Sequence, residues 1–517
     1  MGASQKVYAV IDIGINFVKM QISQLTKGQL CLLEKLEYPV NLGHDVFDEG
    51  TIRFDHICAL TEVLTKYQTC LAVYPECCCR VISCSAMRQA KNRKIIADMI
   101  ENQLGLSMEV LEEPDEKSRL FYEVMRSLKE NKTSFHDPCL LSYIGTGSIG
   151  LAILEGKQIT QSQNLPTGAL KTHENLQMMR RETENFHEVL SDYIRLLFSN
   201  LEQSDSLPGQ IILTGPEIAL LVKLTHGETH GAVYTIHAPS LFRLQRALQD
   251  QTMTQIARRY DILEDEATML YYTIFLAIGL IEAEGVERLM ILPEVDISVG
   301  MMKSMSNPRY EKEYMAFRRR GALSCVTEIA SQWNRNEEAE TPPLMEISSQ
   351  VYKRLYRLHG MDPGDIAILK AACFLVNPRP FWSYGHNPKA TFDLIRNIEI
   401  FGLSQDEITI LAMVCAYIES PMELLKSEAL DTVQESLKMP ILKFTAIGSI
   451  AFSLCNPTKN LYDIKISFSE KHRRVLFTGS TDQGALLEKW RFQQCVEFFE
   501  NIFGILPELQ IKLNFLS

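Results

Sequence analysis

No two of the chain's 13 cysteines stand in a CxxC pair, and their number is odd. Structural zinc sites draw tetrahedral ligands from such pairs, and the adjacent Cys77-Cys78-Cys79 cannot supply that geometry. The thiols read instead as buried, reduced groups of a cytoplasmic protein. An excess of positive charge is also missing: 52 Lys and Arg face 64 Asp and Glu, a net −12. A protein that wraps nucleic acid needs a basic face. Basic clusters such as Arg318-Arg319-Arg320 and Lys471-His472-Arg473-Arg474 are short and isolated, and read as solvated surface. No DNA partner is expected. An acidic chain can still hold a polyanion, but only in a local pocket of backbone amides and a few cations.

Long apolar runs are scarce too. The longest, residues 267–281, falls short of the roughly 20 residues a spanning helix needs, so no membrane partner is expected. The N-terminus runs into a strand-like segment at residue 7 without a signal-peptide pattern, and Lys6 stands where a myristoylation signal needs Ser or Thr. Low-complexity tracts are absent. With 46% apolar and 22% charged residues, the composition is that of a globular chain too long for one core.

What is present is an internal duplication. Tyr8-Ala9-Val10-Ile11-Asp12-Ile13-Gly14 reads as a buried strand ending in glycine. An alternating strand at 17–25, a turn at Lys27-Gly28 and a returning strand at 30–36 follow. About 130 residues later the pattern recurs. A strand at 139–144 leads into Gly145-Thr146-Gly147-Ser148, a second strand at 151–154 and a turn at Glu155-Gly156-Lys157. Helices are expected at 54–67, 95–104, 184–200, 253–260 and 266–284, with further strands at 81–83, 210–213 and 288–292. From Pro308 to about Met439 strand signals vanish and helical periodicity dominates. The last 75 or so residues mix a helix at 444–454, a hairpin-like pair at 461–467 and 475–478, and a helix at 484–502.

Glycine loops at strand ends let backbone amides approach a phosphate, because no Cβ intervenes. Two such loops facing each other would clamp a phosphate chain from both sides of a cleft. Residues 145–150 also match GxGxxG, but a dinucleotide site needs that motif to open a helix. The following Leu151-Ala152-Ile153-Leu154 reads as a strand, so the two loops are expected to face each other and no helix to begin at Gly150.

The same residues resemble the exopolyphosphatase/guanosine pentaphosphate phosphohydrolase family. Val10 through Lys19 is similar to its opening DIGSNSVR motif, and Ser85-Ala86-Met87-Arg88-Gln89-Ala90-Lys91-Asn92-Arg93 to its TSALREAxNR. Residues 105–111 with Asp115-Glu116-Lys117-Ser118-Arg119-Leu120 resemble GLxxEVISGEEEARL. The second glycine loop resembles DIGGGSTE, and Leu165-Pro166-Thr167-Gly168-Ala169 resembles LPLGAVR. Residues 371–417 look like the HD-type helical domain of the longer members.

The resemblance implies an α/β fold of duplicated actin-like (ribonuclease H-like) lobes, residues 1–127 and 128–304. A mainly helical HD-like domain (305–440) and a small α+β segment (441–517) would follow. It implies an inter-lobe cleft that removes the terminal phosphate of polyphosphate or of guanosine penta- or tetraphosphate, with Mg²⁺ neutralising the chain. Glu116 would be catalytic. Asp12, Gly14, Asn16, Arg88, Gly145, Thr146, Gly147 and Ser148 would bind phosphate. A homodimer is compatible with this reading.

The chain also departs from the pattern. The second loop's aspartate falls on Tyr143 and its closing glutamate on Gly150, while Ile15 and Phe17 replace serines beside Asn16. A divalent ion needs oxygen ligands, which a phenol and a glycine do not replace. In the helical domain Val376-Asn377-Pro378 replaces the His-Asp pair, and His386 stands alone before Asn387-Pro388-Lys389. That domain therefore reads as structural. Weakened hydrolysis, or a regulatory protein that only binds polyphosphate or an alarmone, are the two functions that remain.

Overall fold

β1 (Val7–Ile13) is apolar at nearly every position and buried on both faces, the pattern of a central strand covered on both sides. Antiparallel β2 (Phe17–Thr26) and β3 (Gln29–Pro39) flank it on one edge. Parallel β4 (Cys78–Ser83) and β5 (Met108–Val110) flank it on the other, giving the order β3-β2-β1-β4-β5.

The second sheet repeats this design. β6 (Cys139–Ile144) pairs antiparallel with β7 (Ile149–Glu155), which pairs with β8 (Gln158–Leu165). On its other edge β6 runs parallel to β9 (Ile211–Thr214), and β9 to a strand at Arg288–Ile291. Two short strands, β10 (Glu228–His230) and β11 (Val233–His237), extend that edge, which makes Arg288–Ile291 β12. The order β8-β7-β6-β9-β12 thus matches β3-β2-β1-β4-β5 strand for strand. Even the hairpins agree. Lys27 and Gly28 have φ of 51° and 81°, and Gly156 and Lys157 have 55° and 67°. Two consecutive left-handed residues make the turn whose twist suits a two-residue hairpin.

The structure is a computed structural model and describes residues 6–74, 76–183, 185–199, 208–333, 341–376, 387–455, 461–469, 473–482 and 484–513. The chain separates into two compact units, Met1–Arg318 and Arg319–Ser517. The first holds both lobes, and one apolar core containing Ile11, Ile13, Ile144 and Ile149 runs through them. The three boundaries expected from sequence all fall inside helices: Glu113–Glu130, Ile297–Ser306 and Glu435–Leu454. Strand signals do end near 308, but Tyr310 and Tyr314 of the next helix, Pro308–Trp333, pack on Tyr122 of the first unit. The division therefore falls later. Pro440 lies within its helix rather than before it.

In the second unit, helices occupy the described residues up to Leu454. β13 (Tyr462–Ser469) and β14 (Arg474–Thr481) then form an antiparallel pair. β15 (Leu506–Leu513) adds a parallel strand after the crossover helix Leu486–Phe503. Residues 377–378 and His386, where the HD motif was sought, lie outside the described residues, as do Lys471 and His472. The described His359 is a packing residue: its ring accepts from the Met361 amide and bonds the Tyr352 carbonyl.

Two helices, Glu264–Glu284 and Glu435–Leu454, are long and apolar enough to cross a membrane by length and composition. The first contains the apolar run at 267–281. In their most apolar windows 78% and 67% of the residues are buried inside the structure, as befits core helices apolar on every face.

Candidate functional site

The two glycine loops share one backbone geometry. Gly14 N–H donates to the Phe17 carbonyl at 2.9 Å, and Gly145 N–H to that of Ser148 at 3.0 Å. The outward carbonyls of each loop are tied back in the same way. Leu42 and Val40 amides bond Ile15 O and Asn16 O at 2.7 and 2.8 Å. Ala169 and Leu170 amides bond Gly145 O and Thr146 O, both at 3.0 Å. Carbonyls engaged elsewhere do not repel an anion at the loop. The Leu165–Ala169 motif supplies this second set of donors, and Gly168 is required there. A Cβ on it would lie 2.3 Å from Gly145 O.

Both loops open onto one cavity of about 890 Å³. Asp12, Gly14 and Asn16 line it from the first loop, and Gly145, Thr146, Gly147 and Ser148 from the second. The loops stand close: a Cβ on Gly147 would touch Ile15 at 3.5 Å. β7, not a helix, begins at Ile149. The expected facing loops are what the structure has.

Glu116 lies in the first turn of the helix Glu113–Glu130, which Pro114 helps start and whose dipole suits the acids Glu113, Asp115 and Glu116. Its carboxylate lines the cavity and is 2.9 Å from Arg88 Nη2. Arg88 differs from expectation. Its guanidinium donates to Glu116 and to the Leu111 carbonyl at 2.8 Å, and it is not among the residues lining the cavity. Arg88 is thus held against the glutamate by an ion pair. Tyr314 steadies the same turn, donating to Asp115 Oδ1 at 2.6 Å and lying 2.8 Å from Ser118 Oγ.

The two departures in the second loop, Tyr143 and Gly150, form one cluster with Lys117. Tyr143 and Gly150 are cross-strand partners on β6 and β7. The equivalent partners on β1 and β2 are Asp12 and Lys19. Over Gly150 lies the Lys117 side chain, with its Cδ 2.7 Å from where a Cβ on residue 150 would be. The buried Lys117 ammonium donates to Ser148 Oγ at 3.0 Å and sits 4.2 Å from the Tyr143 ring centroid. Burial lowers the Lys117 pKa, opposed by the charges of Glu116 and Glu113. Burial, then Glu116, pushes the Tyr143 hydroxyl well above the usual range. Sequence reading missed Lys117. The signal was a lysine directly after Glu116 where the family motif has a third consecutive acid.

Ten of the lining residues are carboxylic acids, against three lysines, Lys19, Lys35 and Lys303. Burial and the neighbouring Asp296 push Asp12 up to about 7, and its Oδ1 is buried without a hydrogen-bond partner. Glu217 is likewise pushed up to about 7 by burial. Asp296 is already used. It caps the helix Ile297–Ser306 through the Ser298 amide at 2.7 Å and accepts from Gln21 at 3.1 Å.

Mg²⁺ does not fit the second loop. One orphaned oxygen on Asp12 is too few for an ion that demands near-octahedral oxygen ligation. The positions that would complete the set carry Tyr143 and Gly150, and a lysine fills the space between them. Among the described residues no group of three or more His, Cys, Asp or Glu could hold a metal ion.

Two lobes of like topology, each presenting a glycine loop to a shared cavity, define an actin-like fold. The model of the Ppx/GppA phosphatase family matches residues 21–216 of the chain. Its structure is similar to that of an exopolyphosphatase from Cytophaga hutchinsonii, at 18% identity and a TM-score of 0.50. That likeness covers 59% of this chain and 98% of that one, and bears on the fold. The Aquifex aeolicus Ppx/GppA family member is also similar, at 17% identity over 59% of this chain and 98% of that one, with a TM-score of 0.48.

Proposed function

We propose that the cavity receives the terminal phosphate of polyphosphate or of guanosine pentaphosphate and that Glu116 activates water against it, slowly. The observation that carries this reading is the paired loops. Both have their outward carbonyls tied back, and both open onto the cavity that Glu116 lines. Amides aimed at a phosphate stabilise charge where it builds up in phosphoryl transfer. The lining favours a short stay for any long chain: ten acids against three lysines repel a polyanion everywhere except at the loops.

A second reading, binding without turnover, is favoured by the Lys117–Tyr143–Gly150 cluster, which removes the family's acids from one wall. Phosphate release from both substrates, with Mg²⁺, Mn²⁺ or EDTA, separates the two. Release abolished by Glu116→Gln supports hydrolysis, and tight binding with no release supports the second reading. Robust release that survives Glu116→Gln rules out this assignment of the base. The remaining parts of this reading are a cytoplasmic location and a structural role for the HD-like helical region.

A further inference from the structure

We propose that Lys117 is a built-in cation that takes over the charge of a divalent ion at the second glycine loop, so that the cavity holds phosphate without metal. This rests on the reading that the cavity binds a phosphate chain.

Three departures that look independent in sequence are one structural unit. A side chain on residue 150 and the Lys117 side chain exclude each other, since a Cβ at 150 would be 2.7, 3.1 and 3.2 Å from Lys117 Cδ, Cε and Cγ. Gly150 therefore clears the path by which Lys117 reaches Ser148. Tyr143, across the strand from Gly150, puts a ring face under the ammonium, where an aspartate would otherwise stand. The same register on β1 and β2 holds Asp12 and Lys19. Lys19, at the position equivalent to Gly150, pairs instead with Glu37 at 3.3 Å, so among the described residues only the second loop has a lysine bonded to it.

The ammonium acts through Ser148. An ammonium can only donate, so Ser148 Oγ must accept from Lys117. The serine's own proton is then left to point elsewhere, and Ser148 lines the cavity. A hydroxyl polarised by a buried cation is a strong donor to a phosphate oxygen. Lys117 itself is not among the lining residues, so it is a positioning residue. Among the described residues its ammonium makes one hydrogen bond for three N–H donors. Its other neighbours are the Tyr143 ring face and, by charge, Glu116 and Glu113.

The test is titration of the full chain with inorganic tripolyphosphate, in EDTA and in millimolar Mg²⁺. Wild type is expected to bind as tightly in EDTA as in Mg²⁺. Lys117→Met keeps the volume over Gly150 and removes the charge. It should weaken binding in EDTA about 10- to 100-fold, the scale of a charge-assisted hydrogen bond. Ser148→Ala should weaken it similarly, and the double variant no further than either single one, because both remove one device. A merely structural lysine would instead lower the melting temperature of Lys117→Met and leave its affinity unchanged. If Lys117→Met fails to fold, Ser148→Ala alone carries the test, and full affinity in that variant overturns the proposal. Wild-type binding that requires Mg²⁺ overturns the proposal but leaves the phosphate cavity standing. Absence of binding in both buffers overturns both.

Discussion

Arg88 holds Glu116 by an ion pair of 2.9 Å, and its other hand grips the Leu111 carbonyl. Both carboxylate and guanidinium are largely withdrawn from water, so the pair fixes the glutamate's direction rather than decorating the surface. Arg88→Ala should cost about 1–3 kcal/mol in urea unfolding and lower phosphate release far more than affinity. In the Glu116→Gln background the same change should cost clearly less, because the partner charge is gone. Additive costs, or lost affinity for tripolyphosphate with release per bound chain unchanged, would return Arg88 to the phosphate.

Gly150 and Lys117 compete for the same space. Gly150→Ala should therefore destabilise the chain by about 1–3 kcal/mol, as overpacking does, and Lys117→Ala should relieve most of that. The coupling also bears on recovering a metal site. Tyr143→Asp with Gly150→Glu should not raise Mg²⁺-dependent release while Lys117 remains, whereas adding Lys117→Glu should let the metal bind. Gain of metal-dependent release in the double variant would contradict this packing.

Asp12 is pushed up to about 7 in the fold from 3.8. The folded chain then binds this proton more tightly than the unfolded chain, so its contribution to stability falls as pH rises from about 4 through 7. Asp12→Asn removes the cost. Its melting temperature relative to wild type should rise between pH 4 and 8 and level off above that. The gain amounts to at most about 4 kcal/mol at ~1.36 kcal/mol per pKa unit. A difference independent of pH would show that Asp12 is an ordinary, solvated acid.

Tyr314 ties the start of the Pro308–Trp333 helix to the turn that carries Glu116, through Asp115 and Ser118, with Arg119 lying over its ring at 4.2 Å. Tyr314→Phe leaves buried polar atoms short of a partner and should cost about 1–3 kcal/mol. Thermal melting checks this, and an unchanged melting temperature would make the contact incidental.

Much of the first unit was legible because its strands announce themselves. β1 and β6 are apolar runs closed by Gly14 and Gly145, and β6 spans Cys139–Ile144 as read. β10, with all three residues exposed, and β15, interrupted by Pro507, offer no such run. The loops and Glu116 were legible through their motifs. The partners of Arg88 were not, because a motif tells which residue is present and not that Leu111 O and Glu116 wait beside it. Lys117 was hidden for the same reason. Its role depends on a strand position 33 residues away having no side chain, a relation only packing reveals.

The central claim is that one phosphate sits between the two glycine loops, and a crystal structure of the chain with tripolyphosphate tests it most directly. A terminal phosphate is expected within hydrogen-bond reach of amides from residues 15–16 and 146–148 and of Ser148 Oγ, with Glu116 on its open side. Tripolyphosphate bound anywhere else on the chain, with the space between the loops filled only by water, would contradict it.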